Sequence, residues 1–115
     1  MVISSKEYCP KRGDVVWISF KPQADHEQAG RRPAVVLSPE VYNRKVGLML
    51  ACPITSQVKG FPFEVSLPAG LKASGVVLAD QVKNLDWRTR GVKFVCPLPD
   101  STIREVSGKL KVLVG

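Results

Sequence analysis

Short apolar runs, broken at close intervals by turn residues, set the first limit on this fold. "GDVVWISF" (13–20), "PAVVLS" (33–38) and "VGLMLACPIT" (46–55) are each a few residues long, rich in β-branched side chains, and bounded by Gly, Pro or polar loops. That is the signature of strands. In the first run Val15, Trp17 and Ser19 fall on one face, and Val16, Ile18 and Phe20 on the other. Trp17, inside a strand, is expected in the core, and Trp87, flanked by Asp86 and Arg88, near the surface.

The rest of the chain continues the pattern. "KPQADHEQAGRR" (21–32) reads as a long polar loop. "SPEVYNRK" offers Ser38 as N-cap and Pro39 as first helical residue of a helix of one or two turns. "FEVSL" (63–67) alternates like a half-exposed strand. "GVVLADQVKNLD" (75–86) begins apolar and then alternates, and "RGVKFVCPL" gives a last strand. Near the C-terminus Ile103, Val106, Leu110 and Leu113 follow a helical period, with Thr102 and Glu105 in the spacing of a capping box. Gly108 weakens that helix. Five or six short strands and one C-terminal helix point to a small antiparallel β-barrel with helices packed outside.

The 115 residues, 44% hydrophobic and 23% charged, suit a single domain over 1–115 with a real core. No apolar run is long enough to cross a bilayer, and "MVISSKEYCPKRGD" lacks the apolar segment of a secretory signal. The expectation is a cytoplasmic protein with no membrane partner. Cys9, Cys52 and Cys96 are odd in number and widely spaced, which disfavours disulfides and a zinc site. With His26 as the lone histidine, no metal site and no cofactor are expected. The formal charge is +7, spread through both halves of the chain and not gathered in a tail. A folded basic surface suits a polyanion or an acidic protein segment.

Several segments in order, "RGDVVWISFKP", "EQAGRRPAVVLSP", "YN", "PITSQVKGFPFEV", "GVVLADQVKNLDWRTRG" and "KVLVG", resemble the MazF/PemK family of toxin endoribonucleases. The resemblance covers about Gly13 to Gly115. It implies an SH3-like barrel of the CcdB/MazF kind and a homodimer. It also implies metal-independent, sequence-specific cleavage of single-stranded RNA, which inhibits translation and growth, and silencing by a cognate antitoxin with an acidic C-terminal segment. Gyrase poisons share the fold without the ribonuclease activity. A non-catalytic gyrase-type or nucleic-acid-binding module is therefore the alternative, since fold alone does not decide function.

Metal-free RNA cleavage uses the substrate's own 2′-hydroxyl as nucleophile. The products are a 2′,3′-cyclic phosphate and a 5′-hydroxyl. The site needs a base, donors for the phosphorane oxygens, and an acid for the leaving oxygen. On the resemblance, Arg32 of the "RP" motif supplies the guanidinium. It suits developing phosphorane charge but is a poor acid. Thr55 supplies a hydroxyl donor and Glu27 a candidate base. His26 and Asp80 are the other base candidates, and Asp80 and Gln81 also suit the reading of base edges. Lys59, Arg31, Lys83, Arg88 and Arg90 are the expected phosphate contacts. The loop 21–31 is expected to act as a lid over the RNA.

Overall fold

A computed structural model of the chain describes residues 8–19 and 31–115. Seven strands and two helices follow in order: β1 (Asp14–Ser19), β2 (Arg31–Val36), α1 (Glu40–Val46), β3 (Leu48–Thr55), β4 (Glu64–Ser66), β5 (Val76–Leu78), β6 (Lys83–Asp86), β7 (Lys93–Pro97) and α2 (Asp100–Val114). All strand pairs are antiparallel. The sheet runs β4-β5-β3-β2-β1-β7, with β6 also on β3.

β3 organises the sheet. One edge pairs with β2, with Val35 opposite Cys52. The other edge serves two partners: Leu48–Ala51 take β6, and Ile54 and Thr55 take β5. Pro53, which has no N–H to give to a ladder, falls where that edge changes partner. Among the described residues no pairing joins β4 to β7, so these ladders leave the sheet open at both ends.

Both faces of β1–β3 are buried, which is why their sequences lack a polar alternation. On one face Val15, Val35, Cys52, Ile54 and Val77 pack with Ile103 and Val106 of α2. On the other, Val16, Ile18, Ala34, Val36, Met49 and Ala51 pack with Leu85 and Trp87. The C-terminal helix thus uses its apolar stripe as expected, but the stripe fades: Leu110 is only partly buried and Leu113 is exposed. Cys9, Cys52 and Cys96 are buried free thiols that pack as small hydrophobes.

Several local expectations change. Arg31 and Arg32 belong to β2 itself and not to the preceding loop. The 75–86 segment, apolar at first and then alternating, holds two separate strands. Pro39, not Ser38, occupies the N-cap of α1. The Ser38 hydroxyl instead donates to Asn43 Oδ1 at 2.5 Å and accepts from the Leu50 N–H at 2.9 Å. The capping box at Thr102 and Glu105 does not form: α2 starts at Asp100 after Pro99, without a side-chain cap, and Thr102 is buried inside the helix.

Asn43 is the hub that joins these parts. It is fully buried. Its Nδ2 donates to Pro10 O at 2.9 Å and Ser38 O at 3.0 Å, and its main-chain oxygen accepts from Trp87 Nε1 at 3.0 Å. Trp87 is accordingly a core residue, 8% exposed, while Trp17 is 40% exposed. The two tryptophans are the reverse of the sequence expectation. β1 is a central strand, but Trp17 lies opposite Pro33 and Lys93 and reaches into a cleft.

A candidate phosphate-binding cleft

The cleft is built where β2 begins and β3 ends. Arg32 enters β2 opposite Ile18 of β1. The buried Ile18 fixes the backbone there, while Arg32 itself is exposed. Among the described residues its guanidinium makes no hydrogen bond or ion pair. Thr55 is the last residue of β3 and pairs with Val76. Its Oγ1 accepts from the Gln57 N–H at 3.1 Å.

Gly75 sets the position of Thr55. It has φ +113°, and a Cβ there would stand 2.2 Å from Thr55 O. Only glycine permits that backbone approach and that φ together.

Two hollows meet at this point. One, of about 470 Å³, is lined by residues that include Trp17, Arg32, Thr55, Gln57, Lys72 and Ser74. The other, of about 200 Å³, is lined by Arg32, Thr55, Gln57, Lys59, Phe61, Phe63, Glu64, Leu78 and Gln81. Arg32, Thr55 and Gln57 line both, so they form the ridge between two chambers of one cleft. The arrangement offers a permanent cation, a hydroxyl and a main-chain turn in the middle. A lysine and aromatic side chains lie on either side. Such a surface suits a phosphate at the ridge and flat groups in the chambers.

Arg32, Thr55, Lys59 and Gln81 of the expected residues are thus brought together. Asp80 is exposed beside Gln81, and its charge adds to burial in pushing the Cys52 thiol up to about 12. Lys83 lies opposite Ala51, four residues before Thr55 along β3, which is about 13 Å at strand spacing.

Three arginines have structural partners instead. Arg31 donates to Gly91 O at 3.1 Å, Arg88 to Arg44 O at 2.7 Å, and Arg90 to Ser19 O at 3.1 Å. Arg88 also lies over the Trp87 ring, 5.1 Å from its centroid. Neither chamber is lined by these three. Glu27, His26 and the proposed lid 21–31, apart from Arg31, lie outside the described residues.

Sequence reasoning missed Gln57, Phe61, Phe63, Lys72 and Ser74. Phe61 and Phe63 carried a signal: two aromatics at i and i+2 beside a lysine, in a segment with Pro and Gly. Among the described residues no group of three His, Cys, Asp or Glu is placed to hold a metal ion. No helix there is long and apolar enough to cross a membrane.

Comparison with known proteins gives the arrangement its context. Residues 11–114 match the sequence model of a family described as PemK-like, MazF-like toxin of type II toxin–antitoxin system. The endoribonuclease toxin MazF of Escherichia coli (strain K12) is 47% identical over 108 residues, covering 94% of this chain and 96% of that protein. The crystal structure of MazF from Deinococcus radiodurans superposes with a TM-score of 0.87 at 56% identity, over 95% of this chain and 99% of that one. A MazE–MazF crystal structure from the same organism gives 0.85 at 50% identity, over 95% and 98% of the two chains. A match along nearly the whole length, at such identity and in the same fold, leaves one conclusion: the chain belongs to the PemK-like, MazF-like toxins of type II toxin–antitoxin systems.

Proposed function

We propose that this MazF-like endoribonuclease toxin cuts single-stranded RNA at the ridge formed by Arg32 and Thr55, without a metal ion. The single observation that carries the proposal is that Arg32, Thr55 and Gln57 line both chambers of the cleft. A strand crossing the ridge has one phosphate at the cation and one nucleoside in each chamber.

The chemistry follows from the groups present. The 2′-hydroxyl attacks the adjacent phosphorus and the 5′-oxygen leaves, giving 2′,3′-cyclic phosphate and 5′-hydroxyl ends. Charge develops on the phosphorane oxygens. Arg32 meets it with a forked, permanently charged donor set. Thr55, whose oxygen already accepts from Gln57 N–H, offers its own O–H to the same oxygens. Lys59 neutralises a neighbouring phosphate and Gln81 reads a base edge. Glu27 is the proposed base that takes the 2′-proton. DNA lacks that hydroxyl and is not cut.

The partners fit the same reading. An acidic antitoxin segment and RNA present similar charge to one basic cleft, so one excludes the other. The MazE–MazF structures among the similar proteins support an antitoxin partner, and the family supports a homodimer. The SH3-like barrel remains part of the proposal. Its support is the way β3 shares one edge between β5 and β6.

The test is purified protein on a long single-stranded RNA in EDTA, with cut sites and end chemistry mapped. Wild type is expected to cut at a short repeated sequence, leaving 5′-hydroxyl ends. Arg32→Ala is expected to lose at least about 10²-fold in rate while melting like wild type, the scale for one removed charge-stabilising donor. Wild-type cutting by that variant overturns the assignment.

A further inference from the structure

One wall of the cleft is a loop with no ladder of its own. Residues 56–63 lie outside every strand and helix, yet they carry Lys59, Phe61 and Phe63. Two charged side chains hold this loop. The Glu64 carboxylate accepts from the Lys59 N–H at 3.2 Å through one oxygen and from the Gly60 N–H at 3.0 Å through the other. From α2, Lys109 Nζ reaches across and donates to Pro62 O at 2.7 Å and Glu64 O at 2.9 Å. Within the loop, Glu64 N–H donates to Phe61 O at 3.1 Å, and the Phe61 and Phe63 rings stack with centroids 5.4 Å apart.

Glu64 is out of place on charge alone. A carboxylate lining a cleft for a polyanion repels the ligand, in a protein whose formal charge is +7. Its bonds give it a reason to be there. Each oxygen satisfies a main-chain N–H that the loop's irregular path leaves without a ladder partner, and charge-assisted bonds of this kind are the stronger sort. A loop ordered in advance spares RNA binding the entropy of ordering it.

We propose that Glu64 and Lys109 are positioning residues for RNA binding: together they hold loop 56–63 so that Lys59 faces the phosphate next to the one at Arg32. Glu64 fixes the main chain of Lys59. Lys109 fastens the same loop to the C-terminal helix, so that α2 supports the cleft without lining it. The inference rests on reading the cleft as the RNA site.

The sign of one substitution separates positioning from simple charge. Glu64→Gln removes a negative charge near the RNA, and Coulomb repulsion alone then predicts tighter binding. Positioning predicts the opposite, because a carboxamide offers one oxygen for two N–H groups and turns its NH2 toward the other. The assay is steady-state cleavage of a short RNA carrying the mapped cut site between a fluorophore and a quencher. Glu64→Gln is expected to raise KM about tenfold with kcat within about threefold, the scale of one or two lost hydrogen bonds. Lys109→Met keeps most of the aliphatic stem and is expected to raise KM about fivefold on the same scale. In a Lys59→Ala background neither change should add to the loss, since both act through Lys59.

A KM for Glu64→Gln that is unchanged or lower, or losses that add to Lys59→Ala in full, overturns the proposal. Should Glu64→Gln fail to fold by circular dichroism, Lys109→Met in the Lys59→Ala background carries the test: loss of the Lys109 charge alone would add to the Lys59→Ala loss, and positioning through Lys59 would not. The two readings fail differently. If Arg32→Ala and Lys59→Ala both keep wild-type kcat/KM, the cleft is not the RNA site. If both lose activity while Glu64→Gln and Lys109→Met do not, only the positioning role is wrong.

Discussion

Gly75→Ala is the most informative single change at the contact between Gly75 and the end of β3. A Cβ at Gly75 would lie 2.2 Å from Thr55 O and 2.9 Å from Thr55 C, both backbone atoms. Ordinary contact begins near 3.4 Å, so the two segments must separate by more than 1 Å. The alanine is also held at φ +113°, where an L side chain costs roughly 1–3 kcal/mol. Forcing a methyl into packed structure adds roughly 1–3 kcal/mol more. The sum, about 2–6 kcal/mol, is a large fraction of the roughly 5–15 kcal/mol that holds a domain together. The same displacement moves Thr55 relative to Arg32, and an error of about 1 Å in a positioned group costs on the order of 10²-fold in rate. Urea denaturation at fixed protein concentration, followed by RNA cleavage under conditions where the variant is folded, measures the two effects separately. A variant within about 1 kcal/mol of wild type, or one that folds and cuts at wild-type rate, refutes the claim that Gly75 sets Thr55.

Two further outcomes follow from the core. Asn43→Ala leaves the carbonyls of Pro10 and Ser38 and the Ser38 hydroxyl without their partner. At roughly 1–3 kcal/mol for each group left unpaired, partly offset by relaxation, about 3–5 kcal/mol of stability is lost, which denaturant titration reads directly; a loss under about 1 kcal/mol would sink the hub role. Burial first, and then the charge of Asp80, raise the Cys52 thiol from an ordinary 9.0 to about 12. Between those values the folded state keeps a proton that the unfolded state releases, so this group's contribution is full below pH 9 and declines as pH rises toward 12. A Cys52→Ala variant should show a shallower decline over that range than wild type, and an equal slope in both would refute the assignment.

The fold was legible because its strands are short, apolar and punctuated. β1, β3 and α2 fall within two residues of the expected bounds. Burial on both faces of β1–β3 also hid information. When Val15 and Val16 are both in the core, alternation no longer tells which side chain reaches solvent. The sequence therefore points Trp17 inward and Trp87, beside charged Asp86 and Arg88, outward. Those charges are consumed locally: the Asp86 carboxylate accepts from Arg88 and Thr89 N–H, and the Arg88 guanidinium reaches a carbonyl of α1.

The same blindness explains the basic residues. Arg31, Arg88 and Arg90 read as phosphate ligands, yet each binds a main-chain oxygen 44 to 71 positions away along the chain. No spacing rule announces such a partner. Arg32 and Thr55 stand in family motifs, while one chamber wall comes from a loop whose aromatic residues form no regular element.

The exchange of the tryptophans has a practical meaning. Trp17 stands in the larger chamber beside Arg32, whereas Trp87 is sealed in the interior with its indole nitrogen bonded to α1. The molecule therefore carries two optical reporters in separate surroundings. Light emitted from the first registers what enters the cleft; light from the second registers whether the body of the protein is intact. With each indole replaced in turn by phenylalanine, occupancy and unfolding become independent signals, read from one unlabelled protein.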